Sequence, residues 1–199
     1  QQIEKEKLFN PIIMIPARIG STRLKGKLLK KIAGKPMIWH VWSRAVKSSI
    51  GKVVVATDSK PIADIILSEG GEAFLTKKSH LSGSDRIYEA LEVLDPNEKF
   101  DLIINLQGDL PDIDPSLIDR LFNSVGSEDI TTLVKIADKN EILDTSVVKV
   151  AIAWGEKKKE LKTGSGLYFS RAPIPHNSNE FWHHIGIYAW KRSSLKRFI

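Results

Sequence analysis

Short apolar runs alternate with helical segments between residues 11 and 123, and this alternation restricts the possible folds more than any other feature of the chain. The runs are typical of strands and lie at residues 11–15, 52–56, 72–75 and 101–106. Turn residues and helix-start signals predict helices at residues 37–48, 61–69, 84–94 and 115–123. Because connections this short require right-handed crossovers, we predict an α/β fold with a mostly parallel sheet and helices on both faces.

The second half of the sequence changes character, because its apolar runs have few helices between them. They lie at residues 131–136, 146–154, 166–170 and 185–190. We expect them to extend the sheet with mixed pairing or to build a small β arm. The charged stretch 157–162 is expected to be a loop or a hairpin tip. No internal repeat is evident, and we expect one domain over residues 1–199.

The net charge of +6 is concentrated in one segment. Residues 11–57 contain ten Lys or Arg and no acid, whereas residues 58–199 contain 18 bases and 22 acids. A basic surface for nucleic acid would be spread over several elements, whereas bases gathered near one loop favour a small, highly charged ligand. A nucleic-acid-binding domain remains the rival from another class, but Trp39 and Trp42 alone interleave with these bases, both within a predicted helix. We therefore expect no nucleic-acid partner.

Composition excludes a membrane span and every site that depends on cysteine. No stretch approaches the roughly 18 uninterrupted apolar residues that a membrane span requires. The absence of cysteine excludes disulfides, thiolate metal sites and a cysteine nucleophile, and it permits a reducing compartment. We expect a cytoplasmic location.

The loop after the first predicted strand carries the first candidate site, since ligands of open parallel sheets bind beyond the carboxyl ends of the strands. Its glycines and hydroxyl groups favour contact with phosphate, and Arg18, Arg23 and Lys27 supply three cations, enough for a triphosphate. It matches neither the G-x-x-x-x-G-K-[ST] loop nor the G-x-G-x-x-G loop, so neither inference applies.

Two more segments carry chemistry. Asp109 follows the strongest predicted strand and is a candidate ligand for Mg²⁺, which prefers one or two carboxylates, water and substrate phosphates. Asp112 or Asp114 could assist Asp109, but both are interpreted as loop or helix-entry acids, with Asp114 before Pro115 as an N-cap. The segment 80–86 opens a helix and could bind a base or ribose, although capping by Ser84 or Asp85 explains it equally well.

Seven motifs occur in one order along the chain: Pro16-Ala-Arg-x-x-Ser-Thr-Arg-Leu-x-Gly-Lys27, Gly34-Lys-Pro-Met-Ile38, Val55-Ala-Thr-Asp58, His80-x-Ser-Gly-Ser-Asp-Arg86, Gln107-Gly-Asp109, Tyr168-Phe-Ser-Arg171 and His184-Ile-Gly-Ile-Tyr188. Taken together, they resemble the 3-deoxy-manno-octulosonate (Kdo) cytidylyltransferase family. The set reaches from about residue 11 to the end of the chain and is highly specific, although no single motif is.

The resemblance implies a nucleotide-diphospho-sugar transferase fold, a homodimer and dependence on Mg²⁺. It also implies transfer of CMP from CTP to Kdo, with release of pyrophosphate, in lipopolysaccharide biosynthesis. Carried over by position, Arg18, Ser21, Arg23 and Lys27 would bind the triphosphate, and Ser82, Gly83, Asp85 and Arg86 would lie near the cytidine. Asp109 would bind Mg²⁺, Gln107 would face the sugar, and Arg171, His184 and Tyr188 would belong to the Kdo pocket, with Arg171 meeting the sugar carboxylate.

The sequence also departs from the family pattern. Leu110 stands where the family usually has Glu, and Lys25 and Leu28 stand where it has Pro. The chain stops at Ile199, before the tail that usually contributes a second metal-binding Asp, so a missing C-terminal tail is expected. A cytidylyltransferase for another sugar acid, of the neuraminic acid type, remains the alternative within the same class.

Overall fold

The computed structural model describes residues 9–20, 26–158 and 161–199, and these fall into two compact units. The first unit comprises the chain up to Ile130 together with Ile187–Ile199, and the second comprises Thr131–Gly186. The expectation of one domain over the whole chain stays a prediction. Among the residues described, no helix combines the length and the apolar character that crossing a bilayer demands.

The first unit contains the predicted alternation of strands and helices. Its strands are β1 (Pro11–Ala17), β2 (Lys31–Ile32), β3 (Lys35–Pro36), β4 (Lys52–Thr57), β5 (Glu72–Leu75), β6 (Leu102–Leu106) and the second half of β10 (Trp182–Lys191). Its helices are α1 (Met37–Lys47), α2 (Lys60–Ser68), α3 (Gly83–Leu94), α4 (Pro115–Ser124) and α6 (Arg192–Phe198), with a short 3-10 helix at Lys27–Leu29.

The main sheet of this unit has the order β5-β4-β1-β6-β10. Strand β1 pairs in parallel with β4 on one side and with β6 on the other, and β10 closes the edge antiparallel to β6. The chain therefore builds outward from β1 through β4 and β5, and then returns to the opposite side of β1. This reversal is a topological switch point, and open α/β sheets bind ligands in the crevice at the carboxyl edge beside such a point.

Apolar side chains cover both faces of β1, which fixes this strand in the centre of the unit. Ile12 and Met14 belong to a buried cluster with Ile87 and Leu91 of α3 and Leu195 of α6. The alternate positions Ile13 and Ile15 point to the other face and are fully buried as well. A strand buried on both faces is what a parallel sheet covered by helices requires.

The second unit is a small antiparallel β structure. It contains most of β7 (Ile130–Ile136), α5 (Lys139–Ile142), β8 (Lys149–Lys158), β9 (Leu161–Ser170) and the first half of β10. Strand β10 pairs with β7 and β8, and β8 pairs with β9 in the order β9-β8-β10-β7. The pairing of Lys158 with Leu161 confirms the hairpin expected around residues 157–162.

The sequence analysis missed two short strands and two helices of the fold. The strands β2 and β3 are too short to show periodicity, and they pair across a turn in which Ala33 and Gly34 both have positive φ. Helix α5 has four residues, and the buried face of α6 includes Arg192 and Ser194. A helix that buries polar residues gives no apolar stripe to detect.

Arg192 is buried because it forms an ion pair with Asp95, which is 4% exposed. Its guanidinium donates to the Asp95 carboxylate at 2.5 Å and to the Asp95 carbonyl at 3.0 Å. Burial alone would raise the pKa of Asp95. Hydrogen bonds from the Phe100 and Lys99 amides and from Arg192 outweigh burial, and they hold that pKa below its usual value.

We predict that Asp95→Asn lowers the free energy of unfolding by about 3 kcal/mol at neutral pH, because a buried guanidinium loses its counter-ion. The pKa of Asp95 is lower in the folded protein than in the unfolded chain, where it is about 3.9. The stabilisation is therefore present when the pH is above the unfolded-state pKa, and it disappears as the pH falls through the folded-state pKa. Urea unfolding of wild type and variant, at pH 7 and near pH 3, measures the difference.

The matched control is Asp64→Asn, which removes an exposed carboxylate paired with Lys60 four residues away. It should change stability by less than about 0.5 kcal/mol. An Asp95→Asn loss that is as large near pH 3 as at pH 7 would contradict the assignment of the stabilisation to the ionised pair.

Candidate active site at the carboxyl edge of the sheet

Pro16, near the end of β1, is the point where three chain segments of the candidate site meet. A Cβ added to Gly108, in the loop after β6, would lie 2.9 Å from the Pro16 carbonyl oxygen. A Cβ added to Gly83, the first residue of α3, would lie 3.1 Å from Pro16 Cγ. The two glycines therefore allow the loop after β6 and the start of α3 to approach the end of β1.

The loop after β1 is anchored at both ends of its described part. Arg18 is exposed, and the amide of Ile19 donates to Asp58 Oδ1 at 3.1 Å. The amide of Gly26, which has φ +68°, donates to the Ile19 carbonyl at 3.3 Å. The predicted phosphate contacts Ser21 and Arg23 lie outside the described residues.

Lys27 and Asp109 face one another across the switch point. Lys27 opens the short 3-10 helix, and its Nζ lies 3.5 Å from Asp109 Oδ2, in the loop after β6. Both side chains are partly exposed, at 37% and 57%. A cation and a carboxylate from the two sides of the crevice thus stand together at the carboxyl edge of the sheet.

The donor set around Asp109 fits a metal ion that arrives with phosphate. Within the described ranges, no group of three or more His, Asp or Glu side chains could enclose a metal. Asp114 accepts from the Ser116 amide and is the N-cap of α4, as the sequence predicted, and Asp112 is an exposed loop residue. A single exposed carboxylate suits Mg²⁺, which keeps several waters and takes its other ligands from substrate phosphates.

The start of α3 forms a capping box. Ser82 is the N-cap: its Oγ accepts from the Asp85 amide at 3.1 Å, and the Asp85 carboxylate accepts from the Ser82 amide at 2.9 Å. The helix begins one residue earlier than predicted, and its cap is Ser82, not Ser84 or Asp85. The role of Ser82, Gly83 and Asp85 beside a cytidine stays a prediction, and capping accounts for the contacts that the two side chains make here.

Arg86 is buried, with 2% of its surface exposed. Its guanidinium donates to Thr76 Oγ1, to the Lys77 carbonyl at 3.2 Å and to Asp58 Oδ2 at 3.2 Å. These contacts tie α3 to the residues that follow β4 and β5. Its predicted substrate contact is untested, and the contacts observed make it a positioning residue.

Asp58 is a residue to which the sequence analysis gave no role. One carboxylate oxygen accepts from the Ile19 amide, and the other is paired with Arg86. The carboxylate therefore joins the loop after β1 to α3, at the end of β4. Its only signal in the sequence was membership of the Val55-Ala-Thr-Asp58 motif.

Gln107 and Tyr188 come together through Asn105. Gln107 Nε2 donates to Asn105 Oδ1 at 3.2 Å, and Tyr188 is the partner of Asn105 in the pairing of β10 with β6. Asn105 is 2% exposed, and a buried amide within the run Leu-Ile-Ile-Asn-Leu was the signal that could have revealed it. Burial raises the pKa of Tyr188, so its hydroxyl keeps its proton at neutral pH.

His184 and Arg171 lie in the second unit. His184 Nε2 is 2.9 Å from Thr132 Oγ1, and the imidazole packs edge-to-face on Phe169. Burial, and the neighbouring His183, lower the pKa of His184, so the ring is neutral near pH 7. Arg171 is exposed, and its Nη1 donates to the carbonyls of Thr145 and Ser146.

Some of the positive charges in the basic segment 11–57 are compensated by partners outside it. Lys35 pairs with Glu69 at 2.5 Å and Lys52 with Glu72 at 2.7 Å, and both acids lie outside the segment. Arg44 donates to the Pro111 carbonyl and so supports the loop after β6. Three of the ten bases in this segment therefore have structural partners, and the positive charge left for a ligand is smaller than the sequence count.

Comparison with known proteins gives a consistent picture. A family model described as cytidylyltransferase matches residues 12–199. The chain is 45% identical over 194 residues to the 3-deoxy-manno-octulosonate cytidylyltransferase of Paramagnetospirillum magneticum, covering 96% of this chain and 78% of that protein. It is 47% identical over 191 residues to the protein of the same name from Brucella anthropi, covering 94% and 76%.

Solved structures extend this similarity to the fold. A CMP:2-keto-3-deoxy-manno-octonic acid synthetase complexed with CTP is 36% identical, with a TM-score of 0.80 over 95% of this chain and 77% of that one. The 4-diphosphocytidyl-2C-methyl-D-erythritol synthase of Anaerococcus prevotii is 11% identical, with a TM-score of 0.60 over 96% and 76%, and supports the fold alone. The predicted fold class is confirmed.

We predict that Gly108→Ala destabilises the protein, by about 1–3 kcal/mol, because its methyl group would press on the Pro16 carbonyl oxygen. Gly20→Ala is the matched control, since a Cβ at Gly20 meets nothing within 4 Å. Thermal unfolding of both variants checks the prediction, and equal melting temperatures for the two would show that the approach to Pro16 is not restrictive.

Proposed function

Since this chain belongs to the cytidylyltransferase family and is a nucleotidyltransferase, we propose that it transfers CMP from CTP to Kdo and releases pyrophosphate. The observation that carries the proposal is the meeting of three family motifs around Pro16. The loop after β1, the start of α3 and the loop after β6 converge there, with Lys27 and Asp109 3.5 Å apart.

The triphosphate of CTP would bind at the loop after β1. Arg18 and Lys27 supply cations at its two described ends, and Ser21 and Arg23 belong to the same proposed set. Transfer between phosphates demands mainly positioning and stabilisation of negative charge, which cations and backbone amides provide. No acid–base triad is required for this chemistry.

Mg²⁺ would be held by Asp109. When bound, the ion would neutralise phosphate charge and lower the pKa of a coordinated hydroxyl. Lys27, which pairs with Asp109 in this structure, would then be available to the phosphates.

The residues proposed to contact the sugar acid are Arg171 and His184 within the second unit, and Gln107 and Tyr188 within the first. Arg171 can hold a carboxylate through two parallel hydrogen bonds, a geometry that Lys does not offer. A neutral His184 and a protonated Tyr188 both suit hydrogen bonding to sugar hydroxyls.

The reaction itself would be an in-line displacement. The anomeric hydroxyl oxygen of Kdo forms a bond to the α-phosphorus of CTP, and the bond from that phosphorus to the bridging oxygen breaks. Pyrophosphate leaves with that oxygen, and the hydroxyl proton passes to solvent.

We further propose a homodimer, a cytoplasmic location and a place in lipopolysaccharide biosynthesis. Support for a dimer comes from the apolar side chains of β9, where Leu167 and Tyr168 are each 66% exposed. Adjacent exposed side chains of this size favour a protein partner, and a second copy of the chain is the one proposed.

We predict that Asp109→Asn lowers kcat by about 10²-fold or more with the fold intact, because the site loses its carboxylate ligand for Mg²⁺. Pyrophosphate release is measured with CTP and Kdo, with and without Mg²⁺, and again with neuraminic acid in place of Kdo. The wild-type enzyme should require CTP, Kdo and Mg²⁺ together.

Asp112→Asn is the control for this experiment, since Asp112 is an exposed carboxylate in the same loop. Its activity should stay near that of the wild type. An unchanged rate for Asp109→Asn would remove Asp109 from the mechanism, and faster turnover of neuraminic acid than of Kdo would replace the proposed substrate.

We predict that Asp58→Asn raises the KM for CTP by about tenfold and changes the KM for Kdo much less. The variant loses the charge that pairs with Arg86 and weakens the anchor of the loop after β1. Steady-state kinetics with each substrate varied in turn measure the two constants, with Asp64→Asn as the control. Equal changes in both KM values would show that Asp58 supports the fold in general and not the CTP site.

A further inference from the structure

Four successive backbone carbonyls in the second unit, those of residues 144–147, are bound by two cationic side chains. Lys149 Nζ donates to the carbonyls of Asp144 at 2.9 Å and Val147 at 2.8 Å. Arg171 Nη1 donates to the two carbonyls between them, those of Thr145 at 2.8 Å and Ser146 at 3.1 Å. Residues 144–147 form a turn, which we call the carbonyl turn, and its two outer and two inner carbonyls are divided between Lys149 and Arg171.

The carbonyl turn is well defined by its own hydrogen bonds. The Val147 amide donates to the Asp144 carbonyl at 3.1 Å, and the Ser146 amide donates to Asp144 Oδ1 at 2.7 Å. The turn therefore presents its carbonyls in a fixed arrangement. Whatever holds the turn in place also fixes the atoms that hold Arg171.

Lys149 is the residue that holds the turn. It is fully buried, and it forms no ion pair with any residue that the structure describes. A buried ammonium is costly unless its N–H groups are satisfied, and an apolar side chain of similar length would fill the space at lower cost. The carbonyls of Asp144 and Val147 accept from this ammonium. Hydrogen bonds from Ser146, and then the charge of the ammonium, lower the pKa of the Asp144 carboxyl, so lysine suits this position because it binds the turn.

The strand register places Lys149 beside both sugar-acid candidates of the second unit. Lys149 is paired with Ser170 of β9 and with His183 of β10. The next residues along those strands are Arg171 and His184, and the His184 amide donates to the carbonyl of Val148. Lys149, the first residue of β8, thus directly follows Val148, whose carbonyl accepts from the His184 amide.

We propose that Lys149 is a positioning residue for Arg171. It fixes the carbonyl turn, and the turn fixes the guanidinium in the orientation that binds the carboxylate of the sugar acid. The proposal rests on the proposed function for the identity of that carboxylate. The anchoring of the turn by Lys149 stands on its own contacts.

The hydrogen bonds of Arg171 show which edge of its guanidinium is left to bind a carboxylate. A guanidinium has five N–H donors, and the two on Nη1 are directed at Thr145 and Ser146. Among the described residues, none accepts from Nε or Nη2. That edge matches the two oxygens of a carboxylate in a parallel, bidentate pair.

The test is Lys149→Met, which keeps the length of the side chain and removes the ammonium. The KM for Kdo should rise by about tenfold or more while the KM for CTP stays within about twofold. Lys139→Met is the matched control, because Lys139 is an exposed lysine of the same unit. It should leave both constants unchanged.

A double-mutant cycle separates positioning from a general structural role. In an Arg171→Ala background, Lys149→Met should add less than about a twofold change in the KM for Kdo, since its effect passes through Arg171. A tenfold rise that persists without Arg171 would overturn the proposal, as would an unchanged KM in Lys149→Met. If Lys149→Met does not fold by circular dichroism, Lys149→Gln is assayed by the same criteria.

Hydrogen exchange distinguishes failure of this proposal from failure of the proposed function. The amides of Ser146 and Val147 should exchange at least about tenfold faster in Lys149→Met, whether or not the protein uses Kdo. Faster exchange in a protein that does not turn over Kdo would refute the proposed function and leave the anchoring intact. Unchanged exchange would refute the anchoring.

Discussion

Parallel pairing of β1 with β4 on one side and β6 on the other is the constraint on which the candidate site depends. It brings the loops after β1 and β6 together at the carboxyl edge of the sheet, where Lys27 and Asp109 lie 3.5 Å apart. The strand is held in the centre because both its faces are buried. The site then needs only close approach at Pro16, and Gly83 and Gly108 permit that approach because they have no side chain.

Burial separates the charged residues of the chain into two groups. In the first unit, Arg86 with Asp58 and Arg192 with Asp95 are nearly inaccessible, and each joins segments that are distant in sequence. In the second unit, buried Lys149 holds a turn through its carbonyls. Lys27 and Asp109 remain accessible to ligand. The buried charges join segments of the backbone, and the exposed pair remains accessible at the carboxyl edge of the sheet.

Local patterns predicted most of the sheet and its helices, because β-branched runs bounded by Gly, Pro and Asp carry their own signal. The strand at Lys52–Thr57 was found from such a run, and the helix beginning at Pro115 was found from its start signal. Helix α6 was missed because its buried Arg192 is explained only by Asp95, 97 residues earlier. The same limit applies at the site: Asp109 follows a strong strand and is visible locally, whereas the roles of Asp58, Asn105 and Lys149 depend on partners brought near by folding.

The contact between Lys27 and Asp109 makes the empty and loaded states of the crevice unequal in charge. An accessible ion pair is weak, worth about 0–1 kcal/mol, so each partner is easily given up to a stronger one. A triphosphate that arrives with a divalent cation offers a replacement for both partners at once. The phosphodiester group of the proposed product carries a single negative charge and would be a poorer replacement, so re-formation of the pair would favour release of the product and leave the crevice ready for the next nucleotide.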